Sequence, residues 1–221
     1  MIKAILFDLD GTIADTSPAI AEGINMVMRR RGYPEHPEKA VLGFINYGSR
    51  ELMRSAMPEE LRRDEDLVSS VLADYDECYG TCYHHTTETY PGIPELIRTL
   101  HDDMGLKIGI LSNKQDVYVK KLAEQMLPAG LVGAAQGVIP GNPPKPDPFL
   151  SNRTASALGV DPSECIMIGD SHIDFYTAQN AGMTHIGVSW GYRDEEFLRS
   201  IGATRIAHTA NELLEIIKNL L

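Results

Sequence analysis

Two aspartates separated by one residue, Asp8 and Asp10, follow an apolar run near the start of the chain. The run Ala4–Phe7 predicts a buried strand, which Asp8, Asp10 and Gly11 terminate. Burying two carboxylates at a strand end costs free energy unless a cation or a reaction uses them. Ligands of open α/β sheets bind at the carboxyl ends of the strands. Asp8 and Asp10 are therefore predicted active-site residues.

Further polar clusters lie just after other predicted strands or in a proline-rich loop. They are residues 112–114 (Ser-Asn-Lys), Lys145 and residues 169–174 (Gly-Asp-Ser-His-Ile-Asp). Taken singly, such residues are more often helix caps or turn residues than catalysts. Taken together, carboxylates, a lysine and hydroxyl or amide donors at one sheet edge predict a site for a divalent cation and a phosphoryl group.

The carboxylates suggest how such a site would work. Asp8, Asp10 and Asp170 offer the hard oxygen ligands that Mg²⁺ prefers. The cation would offset the repulsion between a carboxylate and a phosphate, so that an anionic nucleophile can approach an anionic electrophile. One aspartate could then attack phosphorus while the other exchanges a proton with the leaving group and later with water.

The remaining donors suit the phosphoryl oxygens. Lys145, Ser112 and Asn113 would hold the non-bridging oxygens as charge shifts in the transition state. Thr12, which closes the first cluster, is a further candidate for binding the phosphoryl group.

The order of these motifs resembles the haloacid dehalogenase superfamily, in its phosphoglycolate-phosphatase-like branch with a helical cap. The shared pattern is Asp-x-Asp-Gly-Thr at residues 8–12, the strand-end Ser112, Lys145, and Gly-Asp-x-x-x-Asp at residues 169–174. The likeness extends to Tyr-Pro-Gly at residues 90–92 and Val-Ser-Trp-Gly-Tyr-Arg at residues 188–193, so it spans nearly the whole chain.

The resemblance implies a role for each acid. Asp8 would be the nucleophile that forms an aspartyl-phosphate, and Asp10 the general acid and then the base. Mg²⁺ would be held by the Asp8 side chain, the Asp10 backbone carbonyl and Asp170, with Asp174 in support. Dehalogenases of this superfamily generally lack the second acid, so Asp10 favours phosphoryl transfer. Ser112 and Lys145 would bind the phosphoryl group.

The apolar pattern predicts the scaffold. Strand-like runs occur at residues 4–7, 107–111, 165–168 and 185–188, with a weaker one at 137–139. Helical patterns alternate with these runs over residues 90–221, which predicts a doubly wound, Rossmann-like parallel sheet. Residues 17–87 carry only helical patterns, beginning with Ser17 as a helix-capping residue before a proline. We therefore expect an α/β core at 1–16 and 88–221 with an inserted all-helical cap at 17–87.

Bulk properties limit the partners. A net charge of −11 argues against nucleic acid and anionic lipid surfaces, but not against a small phosphorylated metabolite. No apolar stretch is long enough for a membrane span, and no signal peptide is evident. An odd count of three cysteines suggests a reducing compartment, so a cytoplasmic location is expected. The oligomeric state, a monomer or a weak dimer, stays open.

The substrate is less determined than the reaction. Phosphoglycolate is the first expectation, with Tyr47 and Arg50 between the first predicted cap helices as tentative specificity residues. The alternatives are a phosphomutase of the β-phosphoglucomutase type and, in another class, a non-catalytic phospho-accepting signalling or interaction protein. A Cys-x-x-x-Cys-x-His-His run at residues 78–85 resembles metal ligands, but its spacing does not favour zinc. His172 is assigned no role.

Overall fold

A six-stranded, all-parallel sheet forms the core of the protein in a computed structural model that describes all 221 residues. Its order is β5-β4-β1-β6-β7-β8, so the first strand lies inside the sheet. The short strands β2 and β3 pair separately. The strands are β1 Ala4–Phe7, β2 Ala14–Asp15, β3 Glu88–Thr89, β4 Lys107–Gln115, β5 Val132–Val138, β6 Cys165–Gly169, β7 Thr184–Val188 and β8 Ile206–Ala207.

Ten α-helices accompany the strands. They are α1 Ser17–Arg31, α2 Glu38–Val41, α3 Ser49–Ala56, α4 Glu65–Cys82, α5 Ile93–Arg98, α6 Asp116–Met126, α7 Phe149–Leu158, α8 His172–Ala181, α9 Glu195–Ser200 and α10 Ala210–Lys218. None of them combines the length and the apolar character that crossing a bilayer requires. The chain divides into two compact units, residues 1–15 with 89–221 and residues 16–88. The first is the α/β unit and the second is entirely helical apart from Glu88 at its end, which confirms the predicted fold class.

The burial of the strands explains the sheet. Every residue of β1 and β6 is buried, as expected for strands covered on both faces. One apolar layer joins the central strands to α7 and α8, with Leu6, Met167, Leu150 and Ala178 among its members. The packing of β1 and β6 therefore fixes the backbone positions of the residues that directly follow these two strands.

Two predicted boundaries are wrong. Ser17 does not cap α1, because the capping position is Thr16 and the Ser17 hydroxyl contacts Glu38 at 3.4 Å instead. The weak fifth strand begins at Val132 rather than Gly137 and ends at Val138. Its first half, Val-Gly-Ala-Ala, is composed mainly of small residues that carry little hydrophobic signal.

Strand β4 is longer than its apolar run and irregular near its end. Leu111 pairs with Gln136 and Gln115 with Val138, so residues 112–114 stand opposite Gly137 alone. A bulge of this kind bends a strand and redirects its side chains. Only glycine suits position 137, because a Cβ there would overlap the carbonyl oxygen of Lys114. The bulge therefore lies where the sequence places its second polar cluster.

Candidate active site

Asp8 lies directly after β1 and is held by a buried lysine. Its Oδ1 accepts the amide N–H of Leu9 at 2.7 Å and lies 2.9 Å from Lys145 Nζ. The same ammonium contacts Asp174 Oδ1 at 2.7 Å and donates to the carbonyl oxygen of Leu111 at 3.3 Å. Lys145 thus connects the residue after β1, the middle of β4 and the first turn of α8.

The surroundings of Lys145 favour its charged form. Burial alone lowers the pKa of this ammonium, but the carboxylates of Asp174 and Asp8 outweigh burial, and its pKa lies above the ordinary value. Asn113 fixes the backbone at this position: its Oδ1 accepts the Lys145 amide N–H at 2.7 Å, and its Nδ2 donates to the Lys145 carbonyl at 2.9 Å. The described contacts of Asn113 therefore position Lys145, and direct contact with phosphate stays a prediction.

Asp174 connects the site to a helix start. It lies in the first turn of α8, where its Oδ2 accepts the Ser171 hydroxyl at 2.7 Å and the Ser171 amide N–H at 3.2 Å. Its other oxygen holds Lys145. Gly169 leaves room for this carboxylate, because a Cβ there would overlap Asp174. One fully buried residue thus begins a helix and positions the lysine beside Asp8.

Asp10 is held at both carboxylate oxygens by the bulged part of β4. Lys114 Nζ lies 2.8 Å from Oδ1, and the Ser112 hydroxyl donates to Oδ2 at 3.1 Å. The Lys114 amide N–H in turn donates to Ser112 Oγ at 3.1 Å. A serine hydroxyl has one proton to donate, and here that proton is directed at Asp10. The predicted contact between Ser112 and phosphate stays a prediction.

Asp170 follows β6 and lies in a confined, fully buried position. The amide N–H of Tyr192 donates to its Oδ2 at 2.6 Å, and the Thr12 hydroxyl contacts its Oδ1 at 3.5 Å. A Cβ on Gly191 would lie 2.6 Å from Asp170 Oδ2, and one on Gly11 would lie 2.5 Å from it. Thr12 is fully buried behind this carboxylate, and its predicted contact with phosphate also stays a prediction.

The site contains more negative than positive charge. Its buried ionisable groups are the carboxylates of Asp8, Asp10, Asp170 and Asp174 and the ammoniums of Lys114 and Lys145. Burial, reinforced by repulsion from Asp174, raises the pKa of Asp8 well above its usual range and that of Asp170 to about 7. Carboxylate oxygens of Asp8, Asp170 and Asp174 lie within 4.8 Å of one another. A divalent cation would offset this charge, and hard oxygen donors fit Mg²⁺.

The structure brings most, but not all, of the predicted site residues together. The predicted residues of the α/β unit lie around one sheet edge, whereas Tyr47 and Arg50 belong to the helical unit. Arg50 contacts Glu65 at 2.7 Å there, and its role in specificity stays a prediction. The sequence motifs predict no role for the Tyr192 amide or the Lys114 ammonium. Lys114 could have been identified as a cation within a polar cluster, but a backbone amide leaves no signal in the sequence.

The Cys-His run has a different arrangement. Cys78 and Cys82 are buried on α4, and burial raises the pKa of the Cys82 thiol to about 11. His84 and His85 are exposed, with His85 Nδ1 3.3 Å from Glu22. The thiols therefore lie inside the helical unit and the imidazoles on its surface, so the four side chains do not converge on one point.

Comparisons with known proteins show which proteins the chain is similar to. A model of the haloacid dehalogenase-like hydrolase family matches residues 5–188. A phosphoglycolate phosphatase from Vibrio parahaemolyticus is 29% identical over 223 residues, covering 98% of this chain and 96% of that protein. Another from Neisseria meningitidis is 28% identical, covering 99% and 94%. The structure of a candidate phosphoglycolate phosphatase from Lactobacillus delbrueckii subsp. bulgaricus has a TM-score of 0.89 at 32% identity, covering 97% and 98%.

Proposed function

The chain belongs to the haloacid dehalogenase-like hydrolase family, and we propose that it hydrolyses the phosphate monoester of a small metabolite through an aspartyl-phosphate at Asp8. One observation carries this proposal. Two buried acids at the end of β1, Asp8 and Asp10, each contact a separate lysine, so one sheet edge contains a nucleophile and a proton carrier side by side. Phosphatase names among the relatives of similar length add support.

The reaction has two balanced steps. In the first, an Asp8 oxygen forms a bond to phosphorus while the ester P–O bond breaks, and the leaving oxygen takes a proton from Asp10 and departs as an alcohol. In the second, Asp10 accepts a proton from water as the water oxygen attacks phosphorus. The bond between Asp8 and phosphorus breaks, which regenerates the Asp8 carboxylate and releases inorganic phosphate. Lys145 lies 2.9 Å from Asp8 and is suited to hold the phosphoryl oxygens during both steps.

Mg²⁺ is the cofactor that fits the donors. Asp8, Asp170 and the Asp10 backbone carbonyl would hold it, with Asp174 in support through its contact with Lys145. When bound, the cation supplies positive charge that offsets repulsion between the phosphate and the carboxylates. The excess of buried carboxylates over ammoniums supports this assignment.

Binding of Mg²⁺ has a readout that is independent of turnover. A ligand that binds the folded state at 100 times its Kd adds about 2.7 kcal/mol to the free energy of unfolding. We expect MgCl₂ to raise the melting temperature of the wild type in thermal denaturation. The D170N variant should show little of this rise, and CaCl₂ in place of MgCl₂ tests ion preference. An equal rise in both proteins would contradict the assignment of Asp170.

Phosphoglycolate is the proposed substrate and the cytoplasm the proposed location. The substrate is supported by the names of relatives 28% and 29% identical over nearly the whole chain. The location is supported by three cysteines that are all buried free thiols. Tyr47 and Arg50 remain the proposed specificity residues in the helical unit.

Phosphate release with Mg²⁺ tests the function. The panel contains phosphoglycolate, sugar phosphates, a nucleotide and pyrophosphate, with D8N as the blank. We expect the largest kcat/KM for phosphoglycolate and steady phosphate release from it. Isomerised sugar phosphate with little free phosphate would indicate a mutase. A phosphorylated chain that never turns over would indicate a signalling protein.

A further inference from the structure

Lys114 stands apart from the residues whose roles the motifs predict. It lies in the bulge of β4, and both its side chain and that of Asp10 are at most 10% exposed. Its ammonium contacts Asp10 Oδ1 at 2.8 Å, whereas the ammonium of Lys145 contacts Asp8 and Asp174. The two buried lysines of the site therefore serve different aspartates.

The same strand segment holds Asp10 from both sides. Ser112 Oγ donates to Asp10 Oδ2 at 3.1 Å, and the backbone N–H of Lys114 donates to Ser112 Oγ at 3.1 Å. A carboxyl group held at both oxygens has a restricted rotation about its terminal torsion, which is otherwise broad. Lys114 thus acts on Asp10 directly through its ammonium and indirectly through Ser112.

The backbone around Lys114 is also fixed. Gly137 allows the carbonyl of Lys114 to approach β5 more closely than any side chain would permit, and the Gly137 amide N–H donates to Asp116 at 3.0 Å. The ammonium therefore extends towards Asp10 from a backbone that two neighbouring elements restrain. Precise placement of a proton donor matters, because proton transfer requires hydrogen-bond distance to the reacting oxygen.

We propose that Lys114 is the positioning residue of Asp10: it holds the carboxyl group in the orientation from which a proton reaches the leaving oxygen. This inference rests on the proposed function, because it requires an Asp10 that protonates a leaving group. Lys114 itself touches neither the phosphoryl group nor the leaving oxygen in this scheme. Its contribution should therefore depend on how much a given leaving group needs a proton.

A series of aryl phosphates measures that dependence. Phenyl, p-nitrophenyl and dinitrophenyl phosphate share the phosphoryl group, but their leaving phenols become steadily more acidic and need less protonation. The value of kcat/KM covers all steps up to departure of the phenol, so it reports the step in which Asp10 is the acid. The ratio of kcat/KM for phenyl phosphate to that for dinitrophenyl phosphate is independent of the fraction of folded enzyme. The ratio can therefore be interpreted even if a variant is less stable than the wild type.

We expect K114M to lower this ratio by about 10–100-fold, which is less than the roughly 100–10,000-fold typical of general acid–base catalysis because Asp10 itself remains. K114R should restore much of the ratio, since it keeps a cation near Asp10. D10N should lower the ratio at least as far as K114M. K120M is the matched control, because Lys120 pairs with Asp116 on the exposed side of α6 with its side chain 53% exposed, and its ratio should equal that of the wild type.

Two results would overturn the inference separately. If the wild type hydrolyses the esters and K114M reduces kcat/KM equally for all three, Lys114 does not act through the leaving-group acid. If the wild type hydrolyses neither the three aryl esters nor phosphoglycolate in the presence of Mg²⁺, the proposed function itself fails. The two failures are therefore distinguished by the wild-type measurement alone.

Discussion

Charged side chains pair in both units of the molecule, but in opposite surroundings. In the helical unit Arg30 holds Glu77 by two contacts of 2.9 and 3.2 Å at the surface, and this contact lowers the pKa of Glu77. In the α/β unit Lys145 holds Asp8 at 2.9 Å, yet the pKa of Asp8 is raised. Two carboxylates in ion pairs of the same length therefore have pKa values that are shifted in opposite directions overall.

Burial and neighbouring charge explain the reversal. The Glu77 carboxylate is exposed to solvent, so the hydrogen bond from Arg30 determines the direction of its pKa shift. The Asp8 carboxylate is buried near Asp174. Desolvation and repulsion, which raise its pKa, therefore outweigh the attraction of Lys145, which lowers it. Buried charges that cost free energy are typical of functional sites, whereas exposed pairs contribute little. The difference is the one expected if the α/β unit contains the proposed active site.

The largest expected effect is that of Asp8→Asn on turnover. The substitution removes the proposed nucleophile, so kcat for p-nitrophenyl phosphate should fall at least ~1000-fold. It also removes one of several mutually repelling buried carboxylates, so the melting temperature in EDTA should rise. Steady-state kinetics and thermal denaturation of the same preparation measure both effects. Retained activity would contradict the nucleophile, and a lowered melting temperature would contradict the described charge imbalance.

Lys145→Met should have the next largest effect, this time on stability. It leaves Asp8 and Asp174 buried without their shared cation, so the free energy of unfolding in EDTA should fall by about 3–5 kcal/mol. Urea denaturation followed by circular dichroism measures this. The control Lys120→Met removes an exposed ammonium paired with Asp116 and should cost about 1 kcal/mol or less. Equal losses of unfolding free energy in the two variants would show that the buried and the exposed ion pairs do not differ in their contribution to stability.

His185 gives an intermediate effect that appears only at acidic pH. Neither of its ring nitrogens has a partner in the chain, and its ring packs edge-on against Phe175 at 5.3 Å. Burial lowers the pKa of His185 from 6.5 to about 4. The unfolded chain therefore binds this proton more readily, and stability is lost as the pH falls from about 6.5 towards 4.

Replacing His185 by phenylalanine should remove this loss. Between pH 7 and pH 4 the wild type should lose on the order of 2–3 kcal/mol more than His185→Phe, because the variant has no imidazole to protonate. Urea denaturation at several pH values measures the difference. His84→Phe, at an exposed position in the helical unit, should follow the wild type. Parallel curves for wild type and His185→Phe would show that this imidazole is not desolvated.

The smallest effect is expected at the surface pair. Glu77→Gln should leave the melting temperature unresolved from that of the wild type, and addition of NaCl should not separate the two proteins, because exposed charges are already screened. Its kcat for p-nitrophenyl phosphate should also be unchanged. A clear loss of stability would show that this exposed pair contributes as much as a buried one, which would contradict the contrast drawn between the two units.

The sequence by itself determined the fold class and the family, and it predicted the chemistry of the site. The apolar runs around residues 4–7 and 165–168 placed Asp8, Asp10 and Asp170 at strand ends, because strand boundaries follow from local hydrophobic pattern. The parallel sheet, the helical insert and membership of the haloacid dehalogenase-like hydrolase family are confirmed. The ligand set, the phosphate contacts and the roles of Tyr47 and Arg50 stay predictions.

Only the tertiary structure decided which groups meet. Lys145 reaches both Asp8 and Asp174, the bulge in β4 directs Lys114 and Ser112 at Asp10, and a backbone amide near the end of the chain holds Asp170. These contacts join residues up to 137 positions apart, as in the pair of Lys145 with Asp8. They depend on loop paths, a strand irregularity and long flexible side chains. None of these leaves a periodic signal, because each is fixed by packing between segments that are distant along the chain.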